Sequence, residues 1–99
     1  KQKYIQNQFV EFLIDYSEKR MKAKNYTFPL KNCLDTIYSR DPFHQRVATL
    51  LLSYYDKIGD LAGLIDFYKN HERNCKRVLD MEPSQQTQAL YNRLINNHY

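Results

Sequence analysis

Residues 50–73, LLLSYYDKIGDLAGLIDFYKNHER, decide the fold, because they contain two helical patterns separated by a Gly59-Asp60 turn. Apolar side chains recur every three or four positions on both sides of this turn, which is the spacing of one helix face. The stripes consist of Ala48, Leu51, Leu52 and Tyr55 before the turn and Leu61, Leu64, Ile65 and Tyr68 after it. Glycine tolerates the left-handed backbone conformation with which a helix commonly ends. The stretch therefore predicts a helical hairpin.

This hairpin has the layout of a tetratricopeptide repeat (TPR), a helix–turn–helix unit of roughly 34 residues. Such a unit cannot bury its apolar face alone and stacks on neighbouring helices, so it typically forms a binding scaffold. The expected core between its two helices consists of Leu51, Tyr55, Leu64 and Tyr68. We therefore expect the function to lie in what the surface contacts and not in covalent chemistry.

Helical periodicity along the chain predicts five helices in a single domain of residues 1–99. The helices cover residues 3–22, residues 29–39, a third helix that begins at Asp41-Pro42, residues 60–79, and a fifth helix after Ser84. Asp41 is the expected N-cap of the third helix, with Pro42 at its first position, and Ser84 is the expected N-cap of the fifth. Short loops make neighbouring helices antiparallel. The predicted fold class is all-α: TPR-like antiparallel helical hairpins with a C-terminal capping helix.

The composition limits the classes of function. The chain is 42% hydrophobic and carries a formal net charge of +4. Its basic residues are scattered except for two groups near the C-terminal ends of predicted helices: Lys19, Arg20, Lys22 and Lys24, and Arg73, Lys76 and Arg77. Cations at helix C-termini complement the helix dipole, which favours a structural role over a phosphate-binding patch. No apolar run approaches the roughly 20 residues that span a bilayer, and no signal-peptide pattern is found, which predicts a cytoplasmic protein without a membrane partner. The first residue is not Met, which we interpret as a domain excised from a larger protein.

The cysteines and histidines show none of the spacings that metal sites or nucleophilic catalysis use. Cys33 and Cys75 form no CxxC pair, and we expect both to be reduced and packed as small apolar side chains. His44, His71 and His98 have no i, i+4 histidine partner and no HExxH context. For His71, which is four residues before Cys75, the pattern favours a partly buried, hydrogen-bonded histidine. No glycine-rich phosphate loop exists, so we predict no cofactor, no metal and no enzymatic activity.

Residues 62–95, AGLIDFYKNHERNCKRVLDMEPSQQTQALYNRLI, resemble the bacterial transcriptional activator domain (BTAD). This is the TPR-like helical module beside the DNA-binding domain in SARP/AfsR-like regulators and in some response regulators. The matching features are the Gly-Asp turn, the lengthened fourth helix and the break before the fifth helix, carried by Gly59-Asp60, Leu64, Tyr68, Val78-Leu79, Glu82-Pro83-Ser84, Thr87, Leu90 and Tyr91. Residues 9–42 fit the first hairpin of the same domain. The chain departs from the family at Leu64, where Ala is usual, and at Leu79-Asp80, where a Leu-Gly pair is usual; Asp can also adopt the left-handed conformation.

The resemblance implies a regulatory, protein-interaction module of a bacterial transcriptional activator. In that family the module packs against a winged-helix DNA-binding domain of the same parent protein and mediates self-association or effector contact. The implied partners are therefore that winged-helix domain, a second copy in a homodimer, and the transcription machinery. These residues contain no recognition helix with an Arg/Asn/Gln-rich face, so we expect no sequence-specific DNA contact by this domain itself.

The alternative is a free-standing TPR scaffold that binds a peptide or protein partner. Scaffolds that clamp a C-terminal carboxylate present Asn and Lys or Arg on the inner face of the first helix of each repeat. The corresponding face here, which we take as the candidate partner-contact face, consists of Arg46, Thr49, Leu50, Ser53 and Asp56. Leu50 and Ser53 stand where such a clamp would need Asn, which favours the regulatory module.

Overall fold

The structure, a computed structural model, describes residues 2–26 and 28–97, and every secondary-structure element in these ranges is helical. The elements are α1 Gln2–Lys22, α2 Phe28–Arg40, α3 Gln45–Lys57, α4 Leu61–Asn74 and α5 Gln85–Asn97, and α4 continues directly into a π-helical turn, Cys75–Leu79. The predicted all-α class with five helices is confirmed. In the described part of the chain, no helix combines the length and the apolar character that crossing a bilayer requires.

The chain divides into two compact units, Lys1–Leu50 and Leu51–Tyr99. In the first unit, α1 and α2 pack against each other as a hairpin. Burial follows the helical spacing of the apolar positions on these helices and on the start of α3. The buried apolar residues of this unit are Val10, Ile14, Leu30, Leu34, Ile37, Val47 and Ala48.

In the second unit, one apolar cluster joins residues of three helices. Its buried members are Leu52, Leu64, Tyr68 and Leu94, and the partly buried side chains packed on them are Tyr55, Leu61, Ile65, Phe67, Leu90, Tyr91 and Ile95. Leu64 and Tyr68 therefore lie in a common core, as expected, with Tyr55 against it. The α3 leucine in this cluster is Leu52; Leu51 is also buried, at 1% exposure, and points about 100° away around the helix.

The link between α2 and α3 differs from the prediction. Pro42 and Phe43 form a turn in which the backbone N–H of His44 donates to the carbonyl of Asp41 over 3.2 Å, and α3 begins only at Gln45. The predicted N-cap at Asp41, with Pro42 at the first helical position, is therefore wrong. Asp followed by Pro is equally suited to the first two positions of a β-turn, and the chain uses the pair in that way.

The turn between α3 and α4 follows the prediction. Gly59 has φ of 75°, and Asp60 caps α4 by accepting a hydrogen bond from the Gly63 N–H over 2.8 Å. Gly63 has a steric role, because a Cβ atom at this position would overlap the Asp60 carboxylate and lie 2.9 Å from Cδ1 of Tyr55. The absence of a side chain at Gly63 thus permits both the cap and the close approach of the Tyr55 ring.

The break between α4 and α5 is also the one predicted. Asp80 has a left-handed backbone, with φ of 53° and ψ of 40°, and ends the π-helical turn. Ser84 then caps α5, because its Oγ accepts a hydrogen bond from the Thr87 N–H over 3.2 Å. The lengthened fourth helix is present, but its last five residues are π-helical, which the periodicity did not indicate.

Candidate functional site

The five residues of the predicted partner-contact face are all half-buried. Arg46, Thr49 and Leu50 belong to the first compact unit, and Ser53 and Asp56 belong to the second. The Thr49 hydroxyl donates to the carbonyl of Arg46 over 3.0 Å, so it satisfies the backbone of its own helix. Contact of this face with a partner stays a prediction.

Arg46 is held by a row of carboxylates on α1, which we call the acidic clasp. Its guanidinium contacts both carboxylate oxygens of Glu18, at 2.8 and 3.3 Å, and reaches Asp15 and Glu11 at 3.2 Å each. These bonds, with the one to Glu18 foremost, raise the pKa of Arg46 above its ordinary value. The cation is therefore neutralised by the chain itself, and it is a poor trap for the carboxylate of a bound peptide.

His44 connects the same carboxylates to the start of α3. Its Nδ1 accepts the backbone N–H of Arg46 over 3.1 Å and so acts as the N-cap of the helix. Because Nδ1 accepts, the ring proton must be on Nε2, which lies 2.7 Å from the Glu11 carboxylate and donates to it. His44 thus stabilises the α1–α3 contact, and nothing in this geometry makes it a metal ligand.

His71 and Cys75 form a second polar pair, inside the second unit. Each is only 4% exposed, and Nε2 of His71 lies 3.6 Å from Sγ of Cys75. Phe67 stacks on the imidazole, with ring centroids 5.8 Å apart and an interplanar angle of 10°. His71 is hydrogen-bonded, as predicted, but it is fully and not partly buried, and its partner in this contact is Cys75.

Burial opposes ionisation of both members of this pair. It lowers the pKa of His71 below the ordinary 6.5, and it raises the pKa of the Cys75 thiol above 9.0, with a smaller contribution from Glu82. At neutral pH the pair is therefore a neutral imidazole and a thiol, which lacks the thiolate that nucleophilic catalysis requires. The pair is a satisfied element of the core.

The other thiol also belongs to the packing of helices. Cys33 is half-buried, accepts a hydrogen bond from the Ser17 hydroxyl over 3.3 Å and lies 3.8 Å from the carbonyl of Leu13. Both cysteines are free thiols. Among the described residues, no group of three or more His, Cys, Asp or Glu side chains is placed to hold a metal ion. His98 lies outside the described residues.

A basic surface on α4 and the π-helical turn remains, which we call the arginine face: Asn70, Arg73, Asn74 and Arg77. These four side chains line one shallow depression. Arg73 donates through Nη2 to the amide oxygen of Asn70 over 3.1 Å, and Arg77 donates in the same way to Asn74 over 2.9 Å. The same Asn-x-x-Arg pair thus occurs twice, one helical turn apart.

The charges of the arginine face are not neutralised within the described part of the chain. The ion pairs found there include Lys76 with Asp80, at 3.7 Å, but neither Arg73 nor Arg77. From the sequence, Arg73, Lys76 and Arg77 are interpreted together as a complement to the helix dipole, without a distinction between the arginines and Lys76. The repeated Asn-x-x-Arg spacing, at residues 70–73 and 74–77, is the sequence feature from which this surface could have been predicted.

Comparisons with known proteins return no relative. No protein-family model matches the chain, and a search of the curated proteins and a search of the solved structures each give no match. The described residues therefore define only a class: an all-α chain of helical hairpins that carries the arginine face.

Proposed function

We propose that this chain is the regulatory, protein-interaction module of a bacterial transcriptional activator, cytoplasmic and supporting a winged-helix domain that reads DNA elsewhere in the parent protein. The proposal starts from the resemblance of residues 62–95 to the bacterial transcriptional activator domain. The observation that carries it is the geometry of that segment. The long fourth helix, the left-handed Asp80 and the Ser84 cap on α5 give the chain the break at which the resemblance is most specific.

The placement of the reactive groups supports a role in contact and not in chemistry. Arg46 is neutralised by three carboxylates, and the His71–Cys75 pair is buried and uncharged. The arginine face, in contrast, presents guanidinium groups to solvent. A helical module of this kind acts by what it binds, and its partners would be the winged-helix domain, a second copy or the transcription machinery.

The test uses a longer regulator that contains this chain. We expect deletion of the module to abolish activation of a reporter gene while the DNase footprint of the regulator at its promoter persists. A point variant of full length controls for effects that come only from shortening the protein. Leu64→Asp places a carboxylate at a fully buried position and should unfold the module, with the same two results.

Two outcomes would contradict the proposal. A deletion that removes the footprint together with activation would place DNA reading in this chain. A deletion that leaves activation unchanged would leave the free-standing TPR scaffold as the better hypothesis, and the predicted face from Arg46 to Asp56 would then be the first surface to mutate.

A further inference from the structure

Hydrogen bonds within the chain orient both guanidinium groups of the arginine face. Each of its two asparagines accepts one N–H from the arginine three residues later, which fixes the plane of a guanidinium that would otherwise be free to rotate. A guanidinium carries five N–H donors, so this bond leaves others available for a bidentate contact with an oxyanion. Arg73 and Arg77 are four residues apart and stand side by side on the helix surface.

Exposed apolar side chains follow the arginine face along the chain. Val78 is 59% exposed, Leu79 is 43% exposed and Met81 is 60% exposed. The π-helical turn and the left-handed Asp80 end the helix here, and these exposed residues follow Arg77 within four positions of the chain. Apolar side chains grouped next to exposed arginines are typical of protein interfaces, in which Arg and Met are enriched.

The arginines and the exposed apolar residues together indicate which class of anionic partner fits better. A phosphate backbone would meet the arginines but would bury little of Val78 and Met81. A protein segment that carries carboxylates and apolar residues on one face would match the guanidinium pair and cover the apolar side chains as well. Charge and apolar area together therefore favour a protein partner over a nucleic acid.

We propose that the arginine face, extended by Val78 and Met81, is a docking surface for an acidic, amphipathic helix of a partner protein, whose carboxylates pair with Arg73 and Arg77. This inference rests on the proposed function and deepens it, because it states the chemistry of the partner that the module binds.

The test titrates the chain with a fluorescent synthetic peptide whose helix carries Glu at i and i+4 beside Leu residues. A peptide with the same Glu positions but Ser in place of Leu, and a duplex DNA of arbitrary sequence, are titrated in parallel. We expect the Glu/Leu peptide to bind most tightly and to shift the backbone amide NMR signals of residues 70–81. The shift map needs no variant, so it does not depend on whether a mutant folds.

Matched charge variants separate the arginine face from net charge. R73E/R77E should weaken binding of the Glu/Leu peptide about tenfold or more, because two charge-assisted contacts are replaced by repulsion. K22E/K57E makes the same change in net charge at exposed positions away from residues 70–81 and should weaken binding less than about threefold. R73K/R77K keeps the charge but loses the planar fork, and an intermediate loss is expected.

Three results would overturn the inference. These are no binding of the Glu/Leu peptide at millimolar concentration, equal losses in the two Glu double variants, and tighter binding of the DNA through the same arginines. The deletion test of the proposed function is independent of all three. Loss of activation on deletion, together with failure of the peptide, would remove this docking surface and leave the regulatory role intact.

Discussion

His71 illustrates how burial alone sets the protonation of a side chain in this protein. The imidazole is 4% exposed, faces a thiol and stacks on Phe67, and its desolvation lowers its pKa in the folded chain. Just below pH 6.5, the ordinary pKa of histidine, His71 is therefore protonated more often in the unfolded chain than in the folded chain. The stabilising contribution of neutral His71 is present above this pH and is lost as the pH falls towards the folded pKa.

We therefore expect the free energy of unfolding to fall as the pH is lowered from about 7.5 to about 5.5, and to fall less steeply in His71→Gln. Glutamine keeps a hydrogen-bonding group beside Cys75 but does not titrate. Urea unfolding at several pH values measures both slopes, and the other titrating groups contribute equally to the two proteins. Parallel pH profiles for the wild type and the variant would show that His71 does not titrate with folding.

At Gly63, we expect steric overlap to outweigh the gain in helix propensity that a change from Gly to Ala normally brings. Gly to Ala in a helix interior usually stabilises by about 1 kcal/mol. Here the added Cβ would meet the Asp60 carboxylate and the Tyr55 ring, so Gly63→Ala should instead destabilise by roughly 1–3 kcal/mol. Ala62→Gly, at an exposed position of the same helix, is the control and should cost about 1 kcal/mol from propensity alone. A more stable Gly63→Ala protein would mean that the cap and the ring move aside without cost.

The acidic clasp is a polar contact between α1 and α3 in the first unit. One guanidinium on α3 contacts three carboxylates on α1, and His44 adds a bond from its ring to Glu11. The Arg46 side chain is 43% exposed, so solvent and salt screen its ion pairs. A network of partly exposed bonds is nevertheless stronger than one isolated pair, because one ordered side chain serves several partners.

We expect Arg46→Gln to lower the free energy of unfolding by about 1 kcal/mol at low salt, and by less in about 1 M NaCl. Lys31→Gln removes the cation of the i, i+4 pair with Asp35 on α2 and provides the control, with an expected loss of about 0.3–0.5 kcal/mol. Chemical unfolding at the two salt concentrations measures both. If the two variants lose the same stability, with the same salt dependence, the clasp would have no more effect than an ordinary surface pair.

The helix boundaries show which structural features can be predicted from local sequence. The Asp60 and Ser84 caps and the left-handed Asp80 depend on residues within a few positions of each other, and these breaks were predicted. The start of α3 was not, because Asp-Pro suits both an N-cap and a β-turn, and a ring nitrogen of His44 is a less common cap. The π-helical turn also went unpredicted, since its apolar spacing differs little from that of an α-helix over five residues.

The acidic clasp joins residues that are far apart in the sequence and was harder to predict. Arg46 was identified as a candidate contact residue, but the carboxylates that neutralise it lie 28–35 residues earlier, beyond the reach of any local pattern. The arginine face lies on one helix, so its spacing was visible in the sequence. What distinguishes Arg73 and Arg77 from Lys76 is their partners, which only the structure shows.

On the scale of the whole molecule, the net charge of +4 makes DNA the obvious partner to test. The positive charges differ in their surroundings. Arg46 is neutralised by ion pairs in the acidic clasp, whereas Arg73 and Arg77 are exposed to solvent. Two or three guanidinium or ammonium contacts with phosphates give binding without sequence preference, and the sequence predicts no recognition helix.

We therefore expect the isolated chain to bind duplex DNA weakly, with equal affinity for promoter and unrelated sequences. Two or three phosphate contacts imply a fall in affinity of roughly tenfold to fortyfold between about 50 and about 200 mM salt, through counterion release. The triple variant R73E/K76E/R77E should abolish this binding, yet leave the promoter selectivity of a full regulator unchanged while its activation falls. Anisotropy titrations and footprinting measure these effects. A footprint of the isolated chain at one defined sequence, persisting at physiological salt, would instead place sequence recognition on this surface, because counterion release alone does not distinguish one base sequence from another.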